Sequence, residues 1–202
     1  MESTAALTTS QQQRRLRVIG AALRLAADGG YDAVQMRDVS TEAEVALGTI
    51  YRYFSSKDHL LVAAMAEWML DLERTVTRRP PTGDTTAERV LDVLDRALRA
   101  VEREPQRAAA VVAAQTSDDG SAVQAAREVT EVMYRIMDVA FPADADETHR
   151  HDVIRVLAHV WFSCLVSWTS GVGDMDWVRS ELRTAAALLL PEQTNAGPRG
   201  EL

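Results

Sequence analysis

Cysteine is almost missing from this chain, and several kinds of protein are excluded with it. The single thiol, Cys164, rules out an internal disulfide framework and fits a reducing, cytoplasmic setting. Aromatic residues make up only 5% of the chain, and ten glycines and six prolines in 202 residues leave few places for turns. That scarcity, with abundant Ala, Leu, Val, Glu and Arg, favours an all-helical build over a sheet-rich one. A long uninterrupted apolar run is also absent: Val153 to Trp168 is broken by Arg155, His159, Ser163 and Ser167, so no membrane span is expected. The start of the chain lacks the basic-then-apolar layout of a secretion signal.

Catalytic and cofactor signatures are missing too. There is no glycine-rich phosphate loop and no serine elbow. His149 and His151 stand two apart and His151 and His159 eight apart, so no i, i+4 pair puts two imidazoles on one metal. The apolar neighbours of Cys164 suit a buried, inert thiol. No catalytic residue, metal ligand or cofactor is therefore expected, and no repeat of 20 to 50 residues is visible.

What the chain does have is enough apolar content, 47%, to fill one large or two small cores. Its net charge of −8 argues at first against a nucleic-acid partner. Residues 1 to 57, however, hold seven Arg/Lys against six Asp/Glu, which concentrates the negative charge in the remainder. Any contact with DNA must then rest on local groups and not on a global field.

The stretch from Arg37 to Lys57, RDVSTEAEVALGTIYRYFSSK, places two short helical patterns back to back. Met36, Val39 and Ala43 share one face of the first. Ile50 and Phe54 stand four apart on the second, with Val45 just ahead. The opposite face of the second helix presents Gly48, Thr49 and Arg52, flanked by Tyr51 and Tyr53, with Leu47 at its start. A glycine inside a helix costs about 1 kcal/mol relative to alanine, which makes sense where a second backbone approaches closely. These residues add up to a helix-turn-helix whose second helix faces a major groove. Ser55 is expected to cap the next helix with Asp58 at its third position, where free N–H groups and Lys57, the only lysine, would hold a phosphate. An αα-hairpin without a nucleic-acid role is the bland alternative.

The run GTIYRYFSSKDHL resembles the signature of the TetR family of bacterial one-component repressors. That resemblance implies an N-terminal three-helix DNA-binding unit and a C-terminal helical domain for ligand binding and dimerisation, about nine helices in all. It also implies Arg37, in the first turn of the preceding helix, as a phosphate contact, and a homodimer bound to a double-stranded operator. Two positions depart from the family pattern. Glu44 stands where the turn usually has glycine, and Ala46 where the second helix usually has a serine cap, which predicts a less tightly fixed turn. Residues 29 to 37, 56 to 62 and 160 to 168 further resemble the cholesterol-catabolism repressors within that family, whereas the intervening region resembles them faintly.

In chain order, residues 1 to 9 read as a mobile arm, followed by a DNA-binding domain over 10 to 57. Ser10 with Gln13 opens its first helix, with Leu16, Ile19, Leu23 and Ala26 inward, ended by Gly29-Gly30. Arg14, Arg15 and Arg17 are either a solvated face or contacts to a DNA backbone. An effector-binding and dimerisation domain covers 58 to 190, and a disordered tail covers 191 to 202. A long fourth helix from Lys57 toward Thr77 joins the two halves. Thr85 to Glu88 is a capping box, and Asp118-Asp119 is ordinary turn chemistry. The helix from His149 to Ser170 carries only a narrow polar stripe, so it must be covered on two sides, by its own core and by a second subunit.

Met and Trp residues on helices that should converge suggest an adaptable apolar cavity. Its expected walls are Met69, Leu98, Met133, Met137, Trp161 and Trp168, with Gln115 as a polar contact. A large rigid apolar ligand is the expected effector, and the resemblance implies a steroid-derived acid or its coenzyme A thioester. A fatty acyl thioester or a drug are alternatives. A helical dimer that binds an apolar ligand or protein without touching DNA is the alternative from a different class.

Overall fold

The computed structural model describes residues 8–117 and 119–191, and its regular structure is entirely helical. Nine helices follow one another among the described residues: α1 (Thr9–Ala33), α2 (Met36–Ala43), α3 (Leu47–Ile50), α4 (Lys57–Arg78), α5 (Thr86–Arg103), α6 (Pro105–Gln115), α7 (Gly120–Asp138), α8 (Glu147–Thr169) and α9 (Met175–Leu189). All of the expected tail at 191–202 but Pro191, the first seven residues of the expected arm and Asp118 of the expected turn lie outside the described residues.

The sequence offers three capping residues in a row, Thr8, Thr9 and Ser10, followed by three glutamines. The outermost pair wins: Thr8 accepts from Gln11 N–H, and the Gln11 side chain returns to the Thr8 N–H at 2.8 Å. The helix therefore starts before the expected Ser10, and Thr8 and Thr9 belong to it and not to an arm. Ile19 and Ala26 are buried as expected and Leu23 is half-buried, but Leu16 is 42% exposed, and Val18, Ala21 and Ala22 complete the buried face. Gly29 and Gly30 do leave helical geometry, Gly30 at φ 70°, so the chain turns there as expected before α2.

The first three helices close over a small dry core of Ile19, Ala22, Val39, Val45, Ile50 and Phe54. Helix α4 then runs through the middle of the molecule. Its residues from Leu60 to Ala66 are all buried, so it is covered all round, by α1, α6 and α7. The later turns of α4 reach into the C-terminal half, where α5, α6 and α7 pack against it, α8 packs on α6 and α7, and α9 on α5 and α8. Pro105 ends α5 and occupies the first turn of α6, where its missing N–H costs nothing. The capping box of Thr85 and Glu88 forms as the sequence predicts.

Candidate nucleic-acid interface and cavity

The turn between α2 and α3 is built on a left-handed residue. Glu44 has φ 53° and ψ 44°, a conformation that costs a non-glycine residue roughly 1–2 kcal/mol. Two hydrogen bonds offset it: Glu44 N–H to Thr41 O at 3.2 Å and Val45 N–H to Ser40 O at 3.1 Å. That pair is a Schellman motif, and the Ser40 hydroxyl adds a third bond to Val45 O at 2.7 Å. The turn is thus fully hydrogen-bonded despite its glutamate. Ala46 makes no side-chain cap, as its residue type dictates.

Only Leu47–Ile50 is α-helical beyond that turn, shorter than the spacing of Ile50 and Phe54 predicts. The chain continues as single helical turns, with Tyr53 N–H and Phe54 N–H both donating to Ile50 O at 2.9 Å. Ile50 and Phe54 still bury together, and His59 meets the Phe54 ring edge-on at 5.5 Å. Opposite them Arg52 is exposed, Tyr51 is 50% exposed, and Leu47 and Thr49 are half-buried. A Cβ placed on Gly48 would meet nothing within 4 Å, so no contact among the described residues requires the glycine. Arg37 is exposed on α2. Tyr53 is half-buried against the core, its ring 6.3 Å from that of Phe54.

The fourth helix is capped one residue later than the sequence predicts. Ser56, with extended backbone, accepts from His59 N–H at 3.0 Å, so Ser56 and not Ser55 is the cap. With the box shifted, Asp58 is free for other partners. Lys57 is held, not free: its ammonium donates to Tyr31 O at 3.3 Å and lies 3.6 Å from the Tyr31 ring centroid. Of the three early arginines, Arg15 pairs with Glu67 at 2.9 Å and covers the Phe54 ring, a structural role. Arg17 remains exposed.

A cavity of about 580 Å³ opens in the C-terminal half, within the ordinary range for small-molecule sites. Of the expected walls, Met69, Met133 and Trp161 line it, joined by Met65, Trp68 and Leu165. Leu98, Gln115, Met137 and Trp168 do not. Leu98 faces a smaller cleft between α5 and α9, with Leu94 and Leu182, and Met137 is sealed in the core at 2% exposure. Trp168 is two turns beyond Trp161, about 10 Å further along α8. Gln115 stands behind the wall, its amide donating to Met65 Sδ at 2.9 Å.

The rim of the cavity is something the apolar pattern did not reveal. Arg79, Arg96, Arg99 and Arg103 ring it, with Asp71 and Asp92 among them. Arg96 is tied to Asp92 at 2.6 Å, and Arg99 pairs with Asp95. Arg79 and Arg103 stand exposed. An arginine every three or four residues along α5, at 96, 99 and 103, was the available sequence signal.

Elsewhere, burial pushes the Cys164 thiol above its ordinary range, which suits an inert group. Among the described residues, no three His, Cys, Asp or Glu side chains are placed to share a metal, and no helix is long and apolar enough to cross a membrane.

Comparison with known proteins agrees with both halves. The family described as bacterial regulatory proteins of the tetR family matches residues 18–64, and the Tetracyclin repressor-like C-terminal domain matches residues 83–189. The HTH-type transcriptional repressor KstR of Rhodococcus jostii is 38% identical over 184 residues, 91% of this chain and 85% of that protein. Its namesake in Mycobacterium tuberculosis is 32% identical over 187 residues, 93% of this chain and 85% of that one. Both alignments run through the region where resemblance looked faint. A crystal structure of a TetR transcriptional regulator from Rhodococcus sp. RHA1 superimposes with a TM-score of 0.82 at 29% identity, covering 92% of this chain and all of that one.

Proposed function

The chain belongs to the TetR family of bacterial transcriptional repressors, and from that premise we propose that it binds an inverted-repeat operator as a homodimer and leaves it when an acidic apolar ligand fills the cavity. The observation that carries the DNA part is the face of α3 and the turn after it. Gly48, Thr49, Tyr51 and Arg52 point away from the core, and the space over Gly48 is open. In this reading Thr49 and Arg52 approach base edges, while Tyr51, Lys57 and Arg37 hold the backbone. Leu47 and Tyr53 flank the contact.

Support for the dimer comes from α8 and α9. Leu188 is 77% exposed, and Val160, Phe162 and Val166 are only half-covered. Leu189, the position the sequence suggested for a disruptive charge, packs partly against the core, so Leu188 is the better probe. Two reading heads about 34–36 Å apart would meet successive major grooves.

The arginine rim favours a ligand with an acidic end, and the walls of Met133, Met69 and Trp161 favour an apolar body. Together with the resemblance to cholesterol-catabolism repressors, this supports a steroid-derived acid or its coenzyme A thioester. Such a ligand releases DNA only by binding the two head arrangements unequally. The test is selection of bound sequences from random DNA, then release of the selected duplex by sterol thioesters, straight-chain acyl thioesters and cationic drugs. Recovery of a palindromic site and release by the sterol compounds alone is the expected result. Release by straight-chain thioesters or drugs, with sterols inert, would overturn the ligand and leave the regulator. Leu188→Asp should split the dimer in sedimentation and abolish binding of the selected duplex together.

A further inference from the structure

One carboxylate joins the DNA-facing end of the molecule to the helices around the cavity. The Tyr31 hydroxyl, at the end of α1, donates to Asp58 Oδ1 at 2.6 Å. From the other side, the Ser117 hydroxyl in the α6–α7 loop donates to Asp58 Oδ2 at 2.7 Å. Both bonds end on a single acid in the first turn of α4, and both are partly buried, where charge-assisted bonds of this length are strong. The Asp119 N–H in turn donates to Ser117 Oγ at 3.3 Å, which fixes the hydroxyl to its own loop. The Ser56 hydroxyl and the Ser121 N–H hold the Asp119 carboxyl below the usual carboxylate range, and the Ser121 N–H donates to its Oδ1 at 2.7 Å.

Tyr31 is also the platform for Lys57. The Lys57 ammonium, which the DNA-binding reading assigns to a phosphate, lies 3.6 Å from the centroid of its ring and donates to its carbonyl. Burial and the Asp58 bond push the Tyr31 phenol up to about 12, so it stays a donor at any ordinary pH. The loop that carries Ser117 follows directly on the end of α6, where Val111 and Val112 line the cavity, and leads into α7, which reaches the cavity at Met133 more than three turns further on. A loop displacement of an ångström or so would break the Ser117 bond, because hydrogen bonds weaken steeply with length and angle.

We propose that Asp58 is a positioning residue, and that Ser117, Asp58 and Tyr31 form a latch that carries the position of the α6–α7 loop to Lys57 and so sets the strength of its phosphate contact. This rests on the DNA-binding reading above. The test uses a random-sequence duplex, because phosphate contacts do not depend on sequence, and follows binding across a salt series for the full-length protein. The set is wild type, Lys57→Ala, Ser117→Ala, Ser117→Thr and the Ser117→Ala/Lys57→Ala double variant, with Asp58→Asn as a second break of the latch.

Lys57→Ala should reduce the salt slope by about one. Ser117→Ala and Asp58→Asn should each weaken binding about 3- to 10-fold, Ser117→Thr should restore it, and Ser117→Ala should add nothing once Lys57 is gone. Wild-type affinity in Ser117→Ala, while Lys57→Ala is weakened, would overturn the latch and leave the DNA reading standing. An equal loss from Ser117→Ala with and without Lys57 would overturn it also. A wild-type protein with no salt-dependent binding would remove the DNA reading and the latch together.

Discussion

The reading head and the cavity-bearing half are made of similar residues, yet they are packed to opposite ends. In the head, Ile50, Val39 and Val34 have no exposure and Phe54 has 1%, so the groups at its centre are each covered by neighbours. In the C-terminal half, Met133, Trp68 and Trp161 surround about 580 Å³ of space, and Leu188 projects from the surface. A surface that must meet a rigid duplex has to be held still. A cavity that must admit a ligand keeps contacts unmade. The centre of the head is therefore closed to solvent, as an ordinary interior is, and the second half keeps a space that a guest could fill.

The largest expected effect tests that contrast directly. Phe54→Ala should cost about 3–5 kcal/mol in urea denaturation, because nothing in the head can collapse into the space. Met133→Ala, half-buried on the cavity wall, should cost well under the ~2 kcal/mol at the low end for a fully buried methionine. Equal losses would mean that the cavity is closed up in solution. Next in size is Arg52→Ala, which should remove about 1–3 kcal/mol of discrimination between the selected site and a mutated one if it makes a bidentate base contact. An unchanged ratio, with weaker binding to both, would move Arg52 to the phosphate group and leave Thr49 to read bases.

The contrast also explains what could be read from the sequence. Two of the head's three helices lie in one short stretch, Met36 to Phe54, and their packing depends on i, i+3 and i+4 spacings within it, with α1 closing over them. Met36, Val39, Ile50 and Phe54 were legible for that reason. The errors there are local ties: Ser55 and Ser56 can each cap α4, and Thr8, Thr9 and Ser10 can each cap α1. Only the three-dimensional path selects one. The cavity draws on α4, α5, α6, α7 and α8, and periodicity shows which face is apolar without showing which faces stop short of touching. Met69, Met133 and Trp161 were found. Met137, one turn from Met133, closes the core instead. The partnership of Ser117 with Asp58 spans 59 positions and has no spacing signature at all.

A smaller effect is expected at the turn of the head. Glu44→Gly removes a side chain from a left-handed position without touching the hydrogen bonds of the motif. It should raise stability by about 1 kcal/mol, with DNA affinity unchanged. A fall in stability would show that the glutamate carries a contact that outweighs its backbone cost.

The smallest effect lies at the seam between the two regions, at His59. Burial holds its imidazole below the ordinary 6.5, and Arg15 adds to the shift, while Asp119 and Glu128 oppose it. The Ser55 N–H points at His59 Nδ1 at 3.3 Å, so that nitrogen serves as an acceptor and protonating it would set two donors against each other. A histidine depressed in the folded state contributes stability that is complete above its unfolded value and is lost as pH falls through the folded one. Stability should therefore decline from about pH 6.5 downward, ahead of the carboxylates at Asp92 and Asp119, which titrate at still lower pH. Thermal melts of wild type and His59→Asn between pH 7.5 and 5 separate the two origins. The variant keeps an acceptor for Ser55 and has no proton to gain, so its stability should stay flat in that interval. A parallel decline in both proteins would take His59 out of the account and place the seam's pH response on other groups.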